Sequence, residues 1–160
     1  MISLTERLIR SKILGFGSLM NLYPPFMFAG IKVKADVNRA NMSISVPVRW
    51  YTKNNNGILF GGILCMASDP FPALFLQHLV PGVTAYNKDI CVEYLRPIRE
   101  TVHTTIQFEL DELNEIRTTI ARLGKFEKNY RFEFQTASRK TVAVVESTAY
   151  LRKLKPKSDS

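Results

Sequence analysis

Two features of the segment from Asn54 to Leu79 are suited to chemistry, a glycine pair and a single carboxylate. Gly61 and Gly62 precede an apolar run that reaches Asp69. In a helix, this pair would lie at the N-terminus, where free N–H groups and the helix dipole favour negative charge. Because Asp69 follows Gly62 by seven positions, the two residues would lie on one side of that helix, about 10.5 Å apart. Because a carboxylate in an apolar run requires a partner or a function, Asp69 is the first candidate for a catalytic residue.

Each of these residues also has a purely structural explanation. Two glycines permit close packing of a helix on a sheet as readily as the approach of a ligand. Asp69 would be a polar residue at a helix break, because Pro70 and Pro72 each remove a backbone donor and disfavour helical geometry in the preceding residue. Asn54 belongs to the turn Asn54-Asn55-Asn56-Gly57, so a turn role is favoured slightly over a role in orienting water.

The remaining reactive side chains form no recognisable site. His78 and His103 have neither metal-ligand spacing nor a nucleophile partner, and no GxSxG elbow occurs. Cys65 and Cys91 each lie in an apolar run, and we interpret both as buried free thiols. We therefore expect no metal site, and the sparse cysteines are compatible with a cytoplasmic location.

The charge balance narrows the range of partners. The 160 residues include 22 lysines and arginines against 14 acidic residues, which gives a net charge of +8. Such an excess favours anionic partners, but the sequence has neither a zinc-finger spacing nor an RNP-like aromatic strand, so we expect no nucleic acid. Much of the excess lies in residues 151–157, which we interpret as a solvated terminus.

The apolar segments are too short for stable membrane insertion. No run approaches the roughly 18 apolar residues that span a bilayer. Leu4 to Met20 has apolar residues at helical spacing, which predicts an amphipathic helix that packs on its own domain. A helix on a membrane surface is the alternative. Pro24-Pro25 is expected to end any helix and to start an extended connection.

The elements that position the glycine pair follow from periodicity. Alternation predicts strands over Ile31–Lys34 and Met42–Arg49, before the apolar run that we assign to a buried helix. Four later strands are predicted from segments rich in β-branched and aromatic residues, namely Ile90–Leu95, Val102–Leu110, Tyr130–Thr136 and Thr141–Leu151. A short helix that stops near Gly124 is predicted between the second and third of these strands.

These elements indicate the α+β class with one principal domain. An antiparallel sheet wrapped around the apolar helix covers both the helix and one face of the long strands. We divide the chain into an N-terminal helix and connection (1–30), one domain (31–153) and a basic, disordered tail (154–160).

The glycine motif resembles the hotdog superfamily, in which a curved antiparallel sheet wraps a long central helix and two protomers join edge to edge. The match is Asn54-x-x-Gly57-x-x-x-Gly61-Gly62 with Asp69 downstream, followed by Val92-x-Tyr94-Leu95-Arg96-Pro97. This pattern is similar to the phenylacetyl-CoA-type thioesterases, although Phe60 stands where those enzymes often have histidine. A closer likeness is to an uncharacterised hotdog branch that has Asp69-Pro70-Phe71 after the helix, a helical insertion and a proline pair before the first strand.

The resemblance implies an acyl-CoA thioesterase that works as a homodimer or a dimer of dimers. It implies that an N–H of Gly62 polarises the thioester carbonyl and that the partner's Asp69 acts as nucleophile or as general base on water, with Asn54 assisting. Coenzyme A would enter as part of the substrate, without a metal or a separate cofactor. Gly61 and Phe60 are expected to contact the substrate. Candidates for the coenzyme A phosphates are Arg96, Arg99, Arg152 and Lys153, because arginine pairs well with phosphate oxygens, although each alone is equally explained as a solvated surface charge.

Two alternatives remain open at this stage. A non-catalytic module that binds acyl-CoA or lipid would keep the fold without the chemistry, and Phe60 with the two prolines favours it. A hotdog dehydratase is disfavoured, because the central helix has no histidine partnered with an acid.

Overall fold

The strands form one six-stranded antiparallel sheet in the computed structural model, which describes residues 15–154. The strands are β1 (Lys32–Asp36), β2 (Asn41–Val46), β3 (Val83–Tyr94), β4 (Val102–Gln107), β5 (Lys125–Gln135) and β6 (Thr141–Lys153). The helices are α1 (Phe16–Leu22), α2 (Pro24–Ala29), α3 (Gly61–Ser68), α4 (Ala73–Leu79) and α5 (Leu110–Leu123), with a 3-10 turn at Trp50–Thr52. The spatial order is β1-β2-β4-β5-β6-β3, so β1 and β3 are the edges of the described sheet.

The predicted α+β class is confirmed, and alternation explains how the sheet faces its helices. Met42, Ile44 and Val46 of β2 are buried, and the residues between them are only partly covered. Val102 and Ile106 of β4 point to the same core from the neighbouring strand. A strand with one buried face presents every second side chain to the core, so periodicity alone locates this interface.

The central helix is divided into two shorter helices, α3 and α4. The predicted break near Asp69 is confirmed, since α3 ends at Ser68 and α4 begins four residues after Asp69. Pro70 and Pro72 lie in the connection, where their missing N–H groups interrupt no helical hydrogen bond. Phe71, between the prolines, is fully buried and fixes the junction in the core.

The N-terminal helices belong to the same core as the sheet. Phe16 of α1 packs against Phe75 of α4, with ring centroids 5.2 Å apart, and Phe26 of α2 packs against Phe71 at 6.1 Å. The expectation of an extended connection after Pro24 is wrong, because Pro24 begins α2. Proline is favoured at the first helical position, where its N–H would have no partner and its φ is already helical. Most of the predicted helix over residues 4–20 lies outside the described residues.

A side chain of α1 covers part of the β1 edge. The amide of Asn21 donates to the Val33 carbonyl at 3.0 Å and accepts the Val33 N–H at 2.7 Å, which reproduces the pairing of a neighbouring strand. A Cβ on Gly17 would lie 3.0 Å from the same carbonyl, so glycine permits the close approach of α1. The outer backbone groups of Val33 are therefore already paired.

The β3 edge is longer than the sequence predicts and contains a bulge. It begins at Val83 and pairs with β6 throughout, with a register shift between Asn87 and Asp89. The extra residue, Lys88, shifts the alternation by one position. Odd-numbered residues before the bulge, such as Ala85, therefore lie on the same face as even-numbered residues after it, such as Val92. In the described residues, the other side of this 12-residue strand has no neighbouring strand.

Candidate active site

The chain before α3 folds into a tight turn that holds Asn54. Lys53 and Leu59 form an antiparallel bridge, and within it the Asn54 N–H donates to the Ile58 carbonyl at 2.8 Å. The Asn54 Oδ1 accepts the N–H groups of Asn56 at 2.9 Å and of Ile58 at 3.4 Å. This side-chain oxygen therefore stabilises the turn.

The glycine pair begins α3 beneath two aromatic rings. The Phe60 N–H donates to the Thr52 carbonyl at 2.8 Å and anchors the helix start. The first N–H groups of a helix, here those of Gly61 and Gly62, have no acceptor within the helix. A Cβ on Gly62 would lie 2.6 Å from Phe60 Cε1, and one on Gly61 would lie 2.9 Å from Tyr94 Oη. Close packing against the hydrogen-bonded Tyr94 accounts for Gly61, whereas the exposed ring of Phe60 beside Gly62 can move, and the lack of side chains leaves both N–H groups accessible to a ligand.

Tyr94 is a site residue to which the sequence assigned no role. Its hydroxyl donates to the Gly61 carbonyl at 2.6 Å and lies 3.4 Å from Cys65 Sγ. Burial raises the pKa of Tyr94, and the neighbouring Cys65 raises it further. The hydroxyl thus stays protonated at neutral pH and serves as a donor. Its position in the motif after Val92 was the only signal in the sequence.

A cleft of about 310 Å³ lies beside the start of α3. It brings together three residues expected at the site, Asn54, Gly61 and Arg96, together with Tyr94. Apolar side chains of Ile58, Leu59, Leu95 and Ile98 complete most of its lining. This combination of an apolar lining with few polar groups is typical of a pocket for a small organic ligand. Phe60 is next to the cleft and 57% exposed, whereas Arg99 is exposed outside it.

Asp69 lies at the opposite end of α3 from this cleft. It is the C-terminal cap of the helix and is exposed to solvent. Its carbonyl accepts a hydrogen bond from the Asn87 Nδ2, which also donates to the Phe71 carbonyl at 3.3 Å. The Asn87 Oδ1 is buried without a partner in the described residues. Within one protomer, the structure therefore places the glycine pair and Asp69 at two separate ends of one helix.

The other titratable and thiol groups do not line the cleft, although Cys65 contacts the hydroxyl of Tyr94. Burial lowers the pKa of His78, which packs against Phe16 with ring centroids 5.3 Å apart. Among residues 15–154 no group of three histidine, cysteine or acidic side chains could hold a metal. Both cysteines are free, and the interpretation of Cys91 as buried is wrong because it lies on the exposed face of the edge strand β3.

The six-stranded antiparallel sheet around a central helix is the hotdog fold, as the motif predicted. A protein of unknown function from Pseudomonas aeruginosa, described as a probable thioesterase, is similar with a TM-score of 0.77 and 14% identity, over 86% of this chain and 93% of that chain. A thioesterase from Haemophilus influenzae is similar with a TM-score of 0.67 and 18% identity, over 91% of this chain and 95% of that chain.

A third similar structure is the PaaI protein from the phenylacetic acid degradation operon of E. coli. Its TM-score is 0.61 and its identity 18%, over 86% of this chain and 88% of that chain. No protein-family model and no curated protein matches the chain. None of the helices within residues 15–154 has the length and apolar character required to cross a membrane.

Proposed function

We propose that the chain is an acyl-CoA thioesterase, which hydrolyses an acyl-CoA thioester to a free acid and coenzyme A. The observation that carries this proposal is the arrangement of α3, with open N–H groups beside a cleft at its start and Asp69 at its end. The thioesterases that share the fold support the reaction class. Coenzyme A enters as part of the substrate, and we propose no separate cofactor.

A homodimer would bring the two ends of α3 together. Within residues 15–154 no strand pairs with the outer side of β3, so its N–H and carbonyl groups can join a second copy, and a two-fold axis pairs the two β3 strands antiparallel. The α3 helices then also run antiparallel, so Gly62 of one protomer faces the partner's Asp69. A dimer of dimers would repeat the same sites. The free thiols are compatible with the cytoplasmic location that we propose.

The reaction needs one donor for the carbonyl oxygen and one acceptor for a proton from water. The N–H of Gly62, at the positive end of the α3 dipole, polarises the thioester carbonyl and stabilises the tetrahedral oxyanion. The partner's Asp69 takes a proton from water as the water oxygen bonds to the carbonyl carbon. The tetrahedral intermediate then collapses with cleavage of the C–S bond, and the Asp69 carboxyl returns the proton to the departing thiolate.

Replacement of Asp69 tests the proposal. Asp69→Asn keeps the size of the side chain but removes the base, so we expect thiol release from a panel of acyl-CoA esters to fall at least about 100-fold with folding intact. Asp111→Asn, an exposed aspartate in the first turn of α5, is the matched control. Wild-type turnover that survives Asp69→Asn would falsify the catalytic role of this carboxylate.

A binding module without catalysis is the second candidate. It is favoured by Phe60, an apolar and exposed ring at the position where similar enzymes often have histidine. Such a module would bind a non-hydrolysable acyl-CoA as tightly as a thioesterase does but would release no thiol from any ester in the panel.

A further inference from the structure

A second cleft lies on the sheet where β5 begins and β6 ends, and it is rich in cations. Its volume is about 550 Å³, and Lys125, Arg152 and Lys153 line it. Lys125 and Arg152 are directly opposite each other in the β5–β6 register. Like charges in opposite positions of neighbouring strands destabilise a sheet, so this pair has no evident structural purpose. We name this site, defined by its three cations, the basic cleft.

Neighbouring carboxylates do not neutralise the basic cleft. Among the described residues, no carboxylate oxygen lies within 4.0 Å of any of its three cations. Glu127, two residues further along β5, is bound by Lys88 at 2.8 Å. The C-terminus of α5 lies at Leu123 on the cleft wall, where the helix dipole contributes only about half a negative charge. The cleft is therefore strongly positive.

An aromatic surface adjoins these cations. Tyr150 lines the basic cleft, and its ring packs against Tyr86 of β3 with centroids 5.2 Å apart. Tyr86 is 54% exposed. Stacking of a base on an aromatic ring contributes about 1 to 3 kcal/mol, and arginine pairs well with phosphate oxygens. Tyrosines next to clustered cations suit a ligand that combines a base with phosphates.

We propose that the basic cleft binds a phosphorylated nucleotide, namely the adenosine 3′,5′-bisphosphate part of an acyl-CoA. The identity of this nucleotide rests on the proposed thioesterase function, whereas the charge and stacking arguments do not. A single mononucleotide matches the three clustered cations of this open cleft better than a nucleic acid strand, which needs a groove that follows several phosphates.

The basic cleft would serve the active site of the partner. Arg152 is opposite Thr84 at the start of β3, and Tyr94 is ten residues further on, roughly 33 Å away in an extended strand. The cleft is thus remote from the α3 start of its own protomer. In an antiparallel β3 pair, the partner's Tyr94 lies at the same end of the combined sheet as this cleft. Tyr150 and Arg152 face away from the core, whereas Tyr94 faces α3, so the pantetheine arm would pass around this end of the sheet. One protomer would hold the nucleotide while the other receives the thioester.

Calorimetric titration with adenosine 3′,5′-bisphosphate tests the site directly. The double variant Lys125→Gln/Arg152→Gln removes two charges, and we expect it to weaken binding at least about tenfold. Arg139→Gln/Lys140→Gln removes the same charge in the turn that joins β5 to β6, at the other end of this strand pair, and should bind as the wild type does. Equal weakening by both variants, equally tight binding of unphosphorylated adenosine, or tighter binding of a single-stranded oligonucleotide would each overturn the proposal.

Kinetics separate this inference from the proposed function. We expect the cleft variant to raise KM for acyl-CoA with kcat unchanged, and to leave hydrolysis of the matching acyl-pantetheine, which lacks the nucleotide, unaffected. Nucleotide binding at the cleft without thioester hydrolysis would refute the thioesterase alone. Hydrolysis that depends on Asp69, combined with a KM for acyl-CoA that the cleft variant does not change, would refute the nucleotide site alone.

Discussion

Gly61 and Gly62 are adjacent in the chain but differ in what surrounds them. The atom nearest to an added Cβ at Gly62 belongs to the exposed ring of Phe60, which can rotate away. At Gly61 that atom is the Tyr94 hydroxyl, which is held by its bond to the Gly61 carbonyl. The cost of a methyl group should therefore differ sharply between these neighbouring positions.

We expect Gly61→Ala to lower the free energy of unfolding by about 1 to 2 kcal/mol, since it displaces a hydrogen-bonded side chain. Gly62→Ala should change it by less than about 0.5 kcal/mol. Urea denaturation measures both values, and Gly15→Ala, with nothing within 4 Å of the added Cβ, is the control. Equal losses at Gly61 and Gly62 would show that Tyr94 adapts as easily as Phe60.

From the sequence, the position at which the site begins could be predicted more accurately than the side chains that complete it. The turn at Asn54 and the helix start at Gly61 follow from local backbone preferences, which a motif records. Tyr94 contacts the start of α3 at Gly61, and Asn87 contacts its end at Asp69. These contacts join residues that are 33 and 18 positions apart in the chain. Such contacts depend on the register of β3 against the core, which no local pattern contains.

The junction between α3 and α4 depends on a side chain from β3. The side-chain amide of Asn87 donates to the carbonyls of Asp69 and Phe71, which lie in the connection between the two helices. Its position at the bulge directs the amide toward the junction. Asn87 thus connects the edge strand to the segment that carries the proposed base.

We expect Asn87→Asp to lower the free energy of unfolding by about 1 to 3 kcal/mol, because it replaces a donor with a carboxylate that faces two carbonyl oxygens. The same substitution at Asn129, an exposed residue of β5, should have little effect. Urea denaturation measures stability, and hydrogen exchange at the amides of residues 69–73 should increase only in the Asn87 variant. Identical behaviour of the two variants would contradict the proposed anchoring role.

The boundaries of the strands are the part of the secondary structure that the sequence pattern predicts least well. Alternation identified β2 and β4 because one face of each is buried and the other is partly or fully open. It missed the first seven residues of β3 and the first five of β5, in which polar residues such as Asn87 and Asn129 disfavour strand. Pairing with β6 on the sheet, rather than intrinsic preference, makes these segments extended.

The whole molecule offers a test of the shared active site. If Gly62 of one protomer works with the partner's Asp69, then Asp69→Asn and Gly62→Val each inactivate both sites of a homodimer. After the two variants are unfolded and refolded together, each heterodimer has one intact site. We expect the mixture to regain about a quarter of wild-type activity by random pairing across a two-fold axis.

The control is the same mixture without refolding, which should stay inactive while subunits do not exchange. Activity that stays at zero after refolding, with heterodimers present by native mass spectrometry, would mean that both groups act within one chain.

The two edges of the sheet, β1 and β3, differ in how readily a further strand can pair with them. Asn21 satisfies the outer N–H and carbonyl of Val33 on β1, which removes part of the template that a further strand would need. The β3 edge has no such cover in the described residues. If two β3 edges pair about a two-fold axis, as proposed, the combined sheet ends in two β1 edges, each partly capped by Asn21, and this capping disfavours further growth into a fibril.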